Sequence, residues 1–200
     1  MNHRRSVALA VLALVTISTA AQAHGWHAGT ASSFAAGFLH PLTGIDHLLA
    51  MLAVGLWSAS AAPRPWLAPL IFAALLIAGA LAAGGGIVPA PVLQGTEWAI
   101  AASVIVLGIL VAWRIRLATP AVALVVGTFA FFHGAAHGLE LGTAAAPLCG
   151  LAAATALLHG AGIALGIALR GRHQRLATLL GAAIAFAGIG LGAGLLAALA

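Results

Sequence analysis

Six apolar stretches, at about 34–60, 66–83, 93–113, 118–138, 146–169 and 176–199, dominate the chain. Each is long enough to cross a hydrocarbon core of about 30 Å as a helix rising about 1.5 Å per residue. The breaks between them carry turn chemistry: Pro63, Arg64 and Pro65; Gly84 to Gly86 with Pro89 and Pro91; Arg114 to Pro120; Gly142 to Pro147; Arg170 to Arg175. The expected fold is all-α, a polytopic membrane bundle of six transmembrane helices. Between the runs there is no room for a separate soluble domain.

Charge agrees with that reading. Only 6% of residues are charged and the mean hydropathy is +1.14, against roughly a quarter charged in soluble domains. Lysine is absent, which excludes a phosphate-binding P-loop and ATP hydrolysis by that route. A pI of about 11.8 arises from eight basic residues, all arginines, over three acids. Arginines scattered through loops are orientation signals before they are a nucleic-acid footprint, so the expected partner is the lipid bilayer and not DNA or RNA. The lone Cys149 rules out an internal disulfide framework and a cysteine-based zinc cluster, and a small packing role is expected for it.

Residues 1–23 have the parts of a secretory signal: basic His3, Arg4 and Arg5, an apolar run from Val7 to Ile17, and an Ala21-Gln22-Ala23 cleavage site. The run is shorter than a bilayer span, so cleavage is expected, leaving a mature six-helix domain over 24–200 that begins at His24. With His24 outside, the first, third and fifth loops hold one, two and three arginines and the second and fourth hold none. That partition predicts a bacterial inner-membrane protein with both mature termini in the periplasm. Trp57, Trp66, Trp98 and Trp113 fall near expected helix ends, where indoles favour the interface. Gly188, Gly190, Gly192 and Gly194 suggest close packing of the last helix.

Ionisable residues inside spans are costly and by default functional. The first span holds His40, Asp46 and His47, and the fourth holds His133, His137 and Glu140. At about 100° per residue His133, His137 and Glu140 share one stripe, and two histidines at i and i+4 form a metal-chelating pair. His40 and His47 share a face two turns apart, while Asp46 points away on a regular helix. Asp46 is then either a group supporting the ligands or turned inward by a helix break, for which Pro41 and Gly44 provide the means. Neutral imidazole suits Ni, Co, Cu and Zn better than magnesium or calcium. The bland alternative is that the histidines only hydrogen-bond between helices.

His159 lies mid-span in the fifth helix and either lines the same cavity or packs. A capping role is expected for Glu97, at the positive end of the third helix. His173 is expected to be solvated. Depths along the helices predict the order Glu140, His137, His133 level with His40, then Asp46, His47 and His159. Three-helix halves would be inverted relative to each other, and Phe38-Leu39-His40 faintly resembles Phe131-Phe132-His133, which suggests a 3+3 inverted repeat. His24 and His27 of the mature terminus could form a metal-collecting site with the free α-amine, or be an inert solvated tail.

With these residues in view, the chain resembles the HupE/UreJ family of nickel/cobalt permeases along essentially its whole mature length. The family pattern H-x5-D-H is present as His40, Asp46 and His47, and F-H-G-x-A-H-G-x-E as Phe132 to Glu140. A related set of permeases has the shorter H-x4-D-H spacing. The resemblance implies a non-enzymatic permease without a resident cofactor that takes up Ni²⁺, or Co²⁺, and is associated with supplying hydrogenase or urease. A membrane haem protein with axial histidines is the alternative. A homo-oligomer is compatible with either.

Overall fold

The computed structural model describes residues 32–62, 64–171 and 173–200. The expected signal segment 1–23 and the tail residues His24 and His27 lie outside the described residues. All regular structure among the described residues is helical: α1 (Phe34–Thr43), α2 (Ile45–Ala61), α3 (Leu67–Gly84), α4 (Ala90–Gln94), α5 (Thr96–Trp113), α6 (Thr119–Leu141), α7 (Ala145–Ala168) and α8 (Gln174–Ala197). Five of these, α3, α5, α6, α7 and α8, are each long and apolar enough to cross a membrane. The sixth candidate span is the pair α1 and α2, bent by 84° at Gly44. Short α4 is an addition to the expected set, a single turn begun by Pro89 before the third span.

Helices in lipid gain little from burying apolar side chains, so association depends on close backbone contact at small residues. Three pairs of spans do this reciprocally. Between α5 and α8, Gly108 lies against the backbone of Ala185 and Gly181, and Gly181 lies against that of Ala112 and Gly108. Between α2 and α7, Gly55 meets the His159 carbonyl and Gly162 meets the Leu52 carbonyl. Between α3 and α6, Gly134 meets the Leu76 carbonyl and Gly79 meets that of Phe131. A fourth seam joins α1 to α7, with Gly150 against Phe34 and Gly37 against Pro147. Met51, Trp57, Phe72, Leu76, Leu107 and Leu151 fill the centre.

Three features depart from expectation. Trp57 is fully buried, because its Nε1–H donates to the Ile115 carbonyl at 2.7 Å and pins the α5–α6 loop, whereas Trp66, Trp98 and Trp113 are exposed at helix ends. Cys149 is exposed on α7 and does not pack. Of the late glycines, Gly188 is pressed against Ile105, but Gly190, Gly192 and Gly194 face open space because α8 packs chiefly through its first half. Of the 24 residues of α8 only Ala177, Gly181, Ile184 and Gly188 are buried, which makes it the peripheral span.

A methyl group at Gly108 would strike the α8 backbone, while one at Gly190 would meet nothing within 4 Å. Gly108→Ala is therefore expected to lower stability by about 1–3 kcal/mol, and Gly190→Ala to leave it unchanged or raise it by up to about 1 kcal/mol. Thermal unfolding in detergent measures both; equal effects would contradict the close packing.

Candidate metal centre

The cluster is assembled at the bend of the first span. Pro41 has no N–H to donate, and Gly44 adopts φ −81° and ψ 115°, so α1 stops and α2 starts in a new direction. Thr43 Oγ1–H closes α1 by donating to the His40 carbonyl at 2.9 Å. Asp46 thereby falls in the first turn of α2, where the helix dipole favours a carboxylate. Its Oδ1 accepts from the His47 backbone N–H and from His47 Nδ1–H, both at 2.8 Å. The helix is broken at this point, and the carboxylate orients the His47 ring. A Cβ at Gly44 would press on this pair, 3.0 Å from Asp46 Oδ1 and 3.2 Å from His47 Nδ1.

From the other side, α6 presents its stripe. Gly134 and Gly138 let it lie against the α3 backbone at Leu76 and Ala80, which brings His133 and His137 into the bundle, where both are fully buried. His137 is 5.0 Å from His40 and 4.4 Å from His47, and His133 is 4.8 Å from His47, between ring centroids. Glu140 Oε2 lies 2.6 Å from His40 Nε2. Ligating atoms of His40, His137 and Glu140 all fall within 4.8 Å of one another. Side-chain exposure falls from 57% at Glu140 and 27% at His40 to 10% at His47, so the cluster runs from an accessible carboxylate to buried imidazoles.

The expected depth order needs one change. His40 is level with His137 and Glu140, not with His133, and His47 faces both His137 and His133 instead of lying beyond them. The 84° bend is the reason, since a straight helix would have carried His47 a further two turns inward. His159 is buried with its ring edge-on to Phe72 at 5.1 Å, and Phe72 also contacts His133 at 5.7 Å. No ring contact joins His159 directly to the other four histidines. Glu97 is exposed in the first turn of α5, whose N-cap is Gly95 without a side-chain cap, and it lies within electrostatic reach of Asp46, His47 and Glu140.

Ser103 was not among the expected site residues. Its hydroxyl donates to the Ile100 carbonyl at 2.6 Å, so its oxygen accepts from His133 Nε2–H at 2.8 Å. That bond fixes the His133 tautomer and leaves the Nδ1 lone pair free. Asp46 does the same for His47, leaving Nε2 free. Both free nitrogens, and both nitrogens of His137, are buried without a hydrogen-bond partner among the described residues. Each such buried orphan costs about 1–3 kcal/mol, a cost that coordination to a cation removes at the unprotonated nitrogen of each ring. Neutral imidazoles beside a carboxylate form a donor set for a borderline divalent transition metal. A lone serine in the otherwise apolar stretch 98–113 was the available signal for Ser103.

These features define a multi-pass α-helical membrane protein with an imidazole–carboxylate cluster inside its bundle. The family described as "HupE / UreJ protein" matches residues 12–191. Protein HupE of Rhizobium leguminosarum bv. viciae is 42% identical over 192 residues, covering 92% of this chain and 94% of that protein. The chain belongs to the HupE/UreJ family, one of transporter and accessory proteins and not of enzymes. No solved structure matches it.

Removing the Ser103 hydroxyl frees the His133 tautomer without altering the ligand set. Ser103→Ala is expected to weaken metal binding by the purified protein by roughly 10- to 100-fold, as loss of supporting hydrogen bonds does at metal sites, with helix content unchanged by circular dichroism. Titration calorimetry reads the affinity, and a wild-type value would remove Ser103 from the centre.

Proposed function

We propose that the protein is a secondary permease carrying Ni²⁺, with Co²⁺ as the competing cargo, from periplasm to cytoplasm without ATP, for a hydrogenase or urease. One observation carries this reading: behind an accessible Glu140 and His40, the rings of His47, His133 and His137 pack together with imidazole nitrogens that have no hydrogen-bond partner among the described residues. Family membership supports it. The ion meets Glu140 and His40 first, passes to His137, and then to His47 and His133, with Asp46 and Ser103 orienting the last two. Several partial sites in sequence suit release better than one tight cage. His159, behind Phe72, would be a later stop. The haem alternative gains nothing from the cluster, whose rings stand 4.4 to 6.3 Å apart in mutual contact, with no slot for a macrocycle.

Residues 1–23 act in this proposal as a cleaved signal peptide, and 24–200 as one permease domain in the inner membrane with both ends periplasmic; the loop arginines support this orientation. His24 and His27 serve as the collecting site. The reciprocal glycine contacts support a 3+3 inverted repeat, because exchanging α2 with α6, α3 with α7 and α5 with α8 exchanges their partners too. In that register Phe131 corresponds to Leu52, so the packing does not follow the likeness between Phe38-Leu39-His40 and Phe131-Phe132-His133. His133 and His137 then stand opposite Val54 and Ser58, and the metal centre is not duplicated.

Radiolabelled nickel uptake in a nickel-limited host tests the proposal. His133→Ala and Asp46→Asn are expected to abolish uptake and His173→Ala to preserve it, with cobalt competing and manganese, which prefers oxygen ligands, not. With cleavage confirmed by N-terminal mass, His24→Ala raises the half-saturating nickel concentration. Normal transport by both motif variants would end the reading.

A further inference from the structure

The end of the bundle opposite the histidine cluster holds a concavity whose basic lining does not suit a divalent cation. Its volume is about 720 Å³, and it lies among the last turns of α2 and α7, the α5–α6 loop and the start of α8. Arg114, Arg116, Arg170, Gln174 and Ser60, whose hydroxyl donates back to its own helix, are its polar side chains, over a wall of small residues that includes Ala59 and Gly166. The chain has three acidic side chains, Asp46, Glu97 and Glu140, and none of them lines this cavity. Three guanidiniums around one concavity, without a carboxylate to balance them, repel one another and focus a positive potential within it.

Local structure holds these arginines in place. Arg114 occupies the left-handed region at φ 51° and ψ 43°, as the residue that closes α5. Its N–H donates to the Val111 carbonyl and that of Ile115 to the Leu110 carbonyl, both at 3.2 Å, the helix-ending pattern in which glycine is usual. An arginine stands where glycine would fit without steric cost. The loop that follows is tied down by buried Trp57 through the Ile115 carbonyl. Arg170 donates one bond to the Ala59 carbonyl in the cavity wall and keeps its other donors.

We propose that this cavity binds a phosphate-bearing organic anion. Arginine forks match phosphate oxygens in pairs. The volume falls in the range of sites for whole organic ligands, well beyond the needs of a bare inorganic ion. The phosphate belongs either to an anionic lipid headgroup, which basic pockets between membrane helices accommodate, or to a free phosphate ester. The proposal does not depend on the metal chemistry at the other end.

The test uses the full-length protein in neutral detergent. Native mass spectrometry is run with phosphatidylglycerol and with phosphatidylcholine, and thermal unfolding with ADP and with inorganic phosphate. Phosphatidylglycerol or ADP is expected to bind and stabilise, phosphatidylcholine is not, and the preferred probe identifies the source of the phosphate. Arg116→Gln combined with Arg170→Gln is expected to weaken binding by about tenfold or more, while Arg64→Gln, which lines a neighbouring cavity, leaves it unchanged. Arg114→Gly should fold at least as well as the parent protein and still lose affinity, which separates ligand binding from folding. Equal binding of the two lipids with no response to ADP would overturn the proposal, as would undiminished binding by both Arg114→Gly and the double variant.

Discussion

Helix α6 lies against α3 at a distance that no side chain at Gly134 or Gly138 would permit, and the position of two of the four clustered histidines follows from it. In lipid, apolar side chains gain nothing by leaving their surroundings, so the backbone approach itself must hold the helices together. Glycine makes that approach at α3–α6, α2–α7 and α5–α8. With the spans locked in this way, His47 at the start of α2 and His137 near the end of α6 meet at 4.4 Å. Imidazoles that would individually be costly in a membrane then share one polar interior.

The break at Gly44 is the second constraint. A continuous first span would have separated His40 from His47 by two turns and turned Asp46 away. Bent by 84°, it sets His40 beside Glu140 and His47 between the two histidines of α6. The chain is also polarised: all three acids stand at the histidine end, and Arg64, Arg114, Arg116 and Arg170 line cavities at the other. The two proposed sites follow this polarity, the cation at the acidic end and the anion at the basic one.

Much of this could be read before any coordinates. The spans are legible because a bilayer demands long apolar runs, and all six runs reappear within a few residues of their expected limits. His137 and Glu140 come together as the helical period requires, a local property that any regular helix obeys. Pro41 and Gly44 indicated where the first span breaks, but neither its angle nor its direction, and the pairing of His40 with Glu140 depends on both. Ser103 was hidden because a serine that donates to its own helix is ordinary in membrane spans, and only the partner across the bundle makes it informative. Trp57 shows the same limit in reverse: its place near a helix end suggested the interface, yet the α5–α6 loop folds over it and takes its N–H.

The proposed metal centre requires that imidazoles of α2 and α6 hold a divalent metal. X-ray absorption spectroscopy of the nickel-loaded, purified protein addresses it directly. The spectrum is expected to show nitrogen and oxygen ligands only, with the outer-shell scattering of imidazole rings, and that scattering should diminish in His47→Ala and in His137→Ala. A nickel shell containing sulfur, or an imidazole signal unchanged by both substitutions, would contradict it.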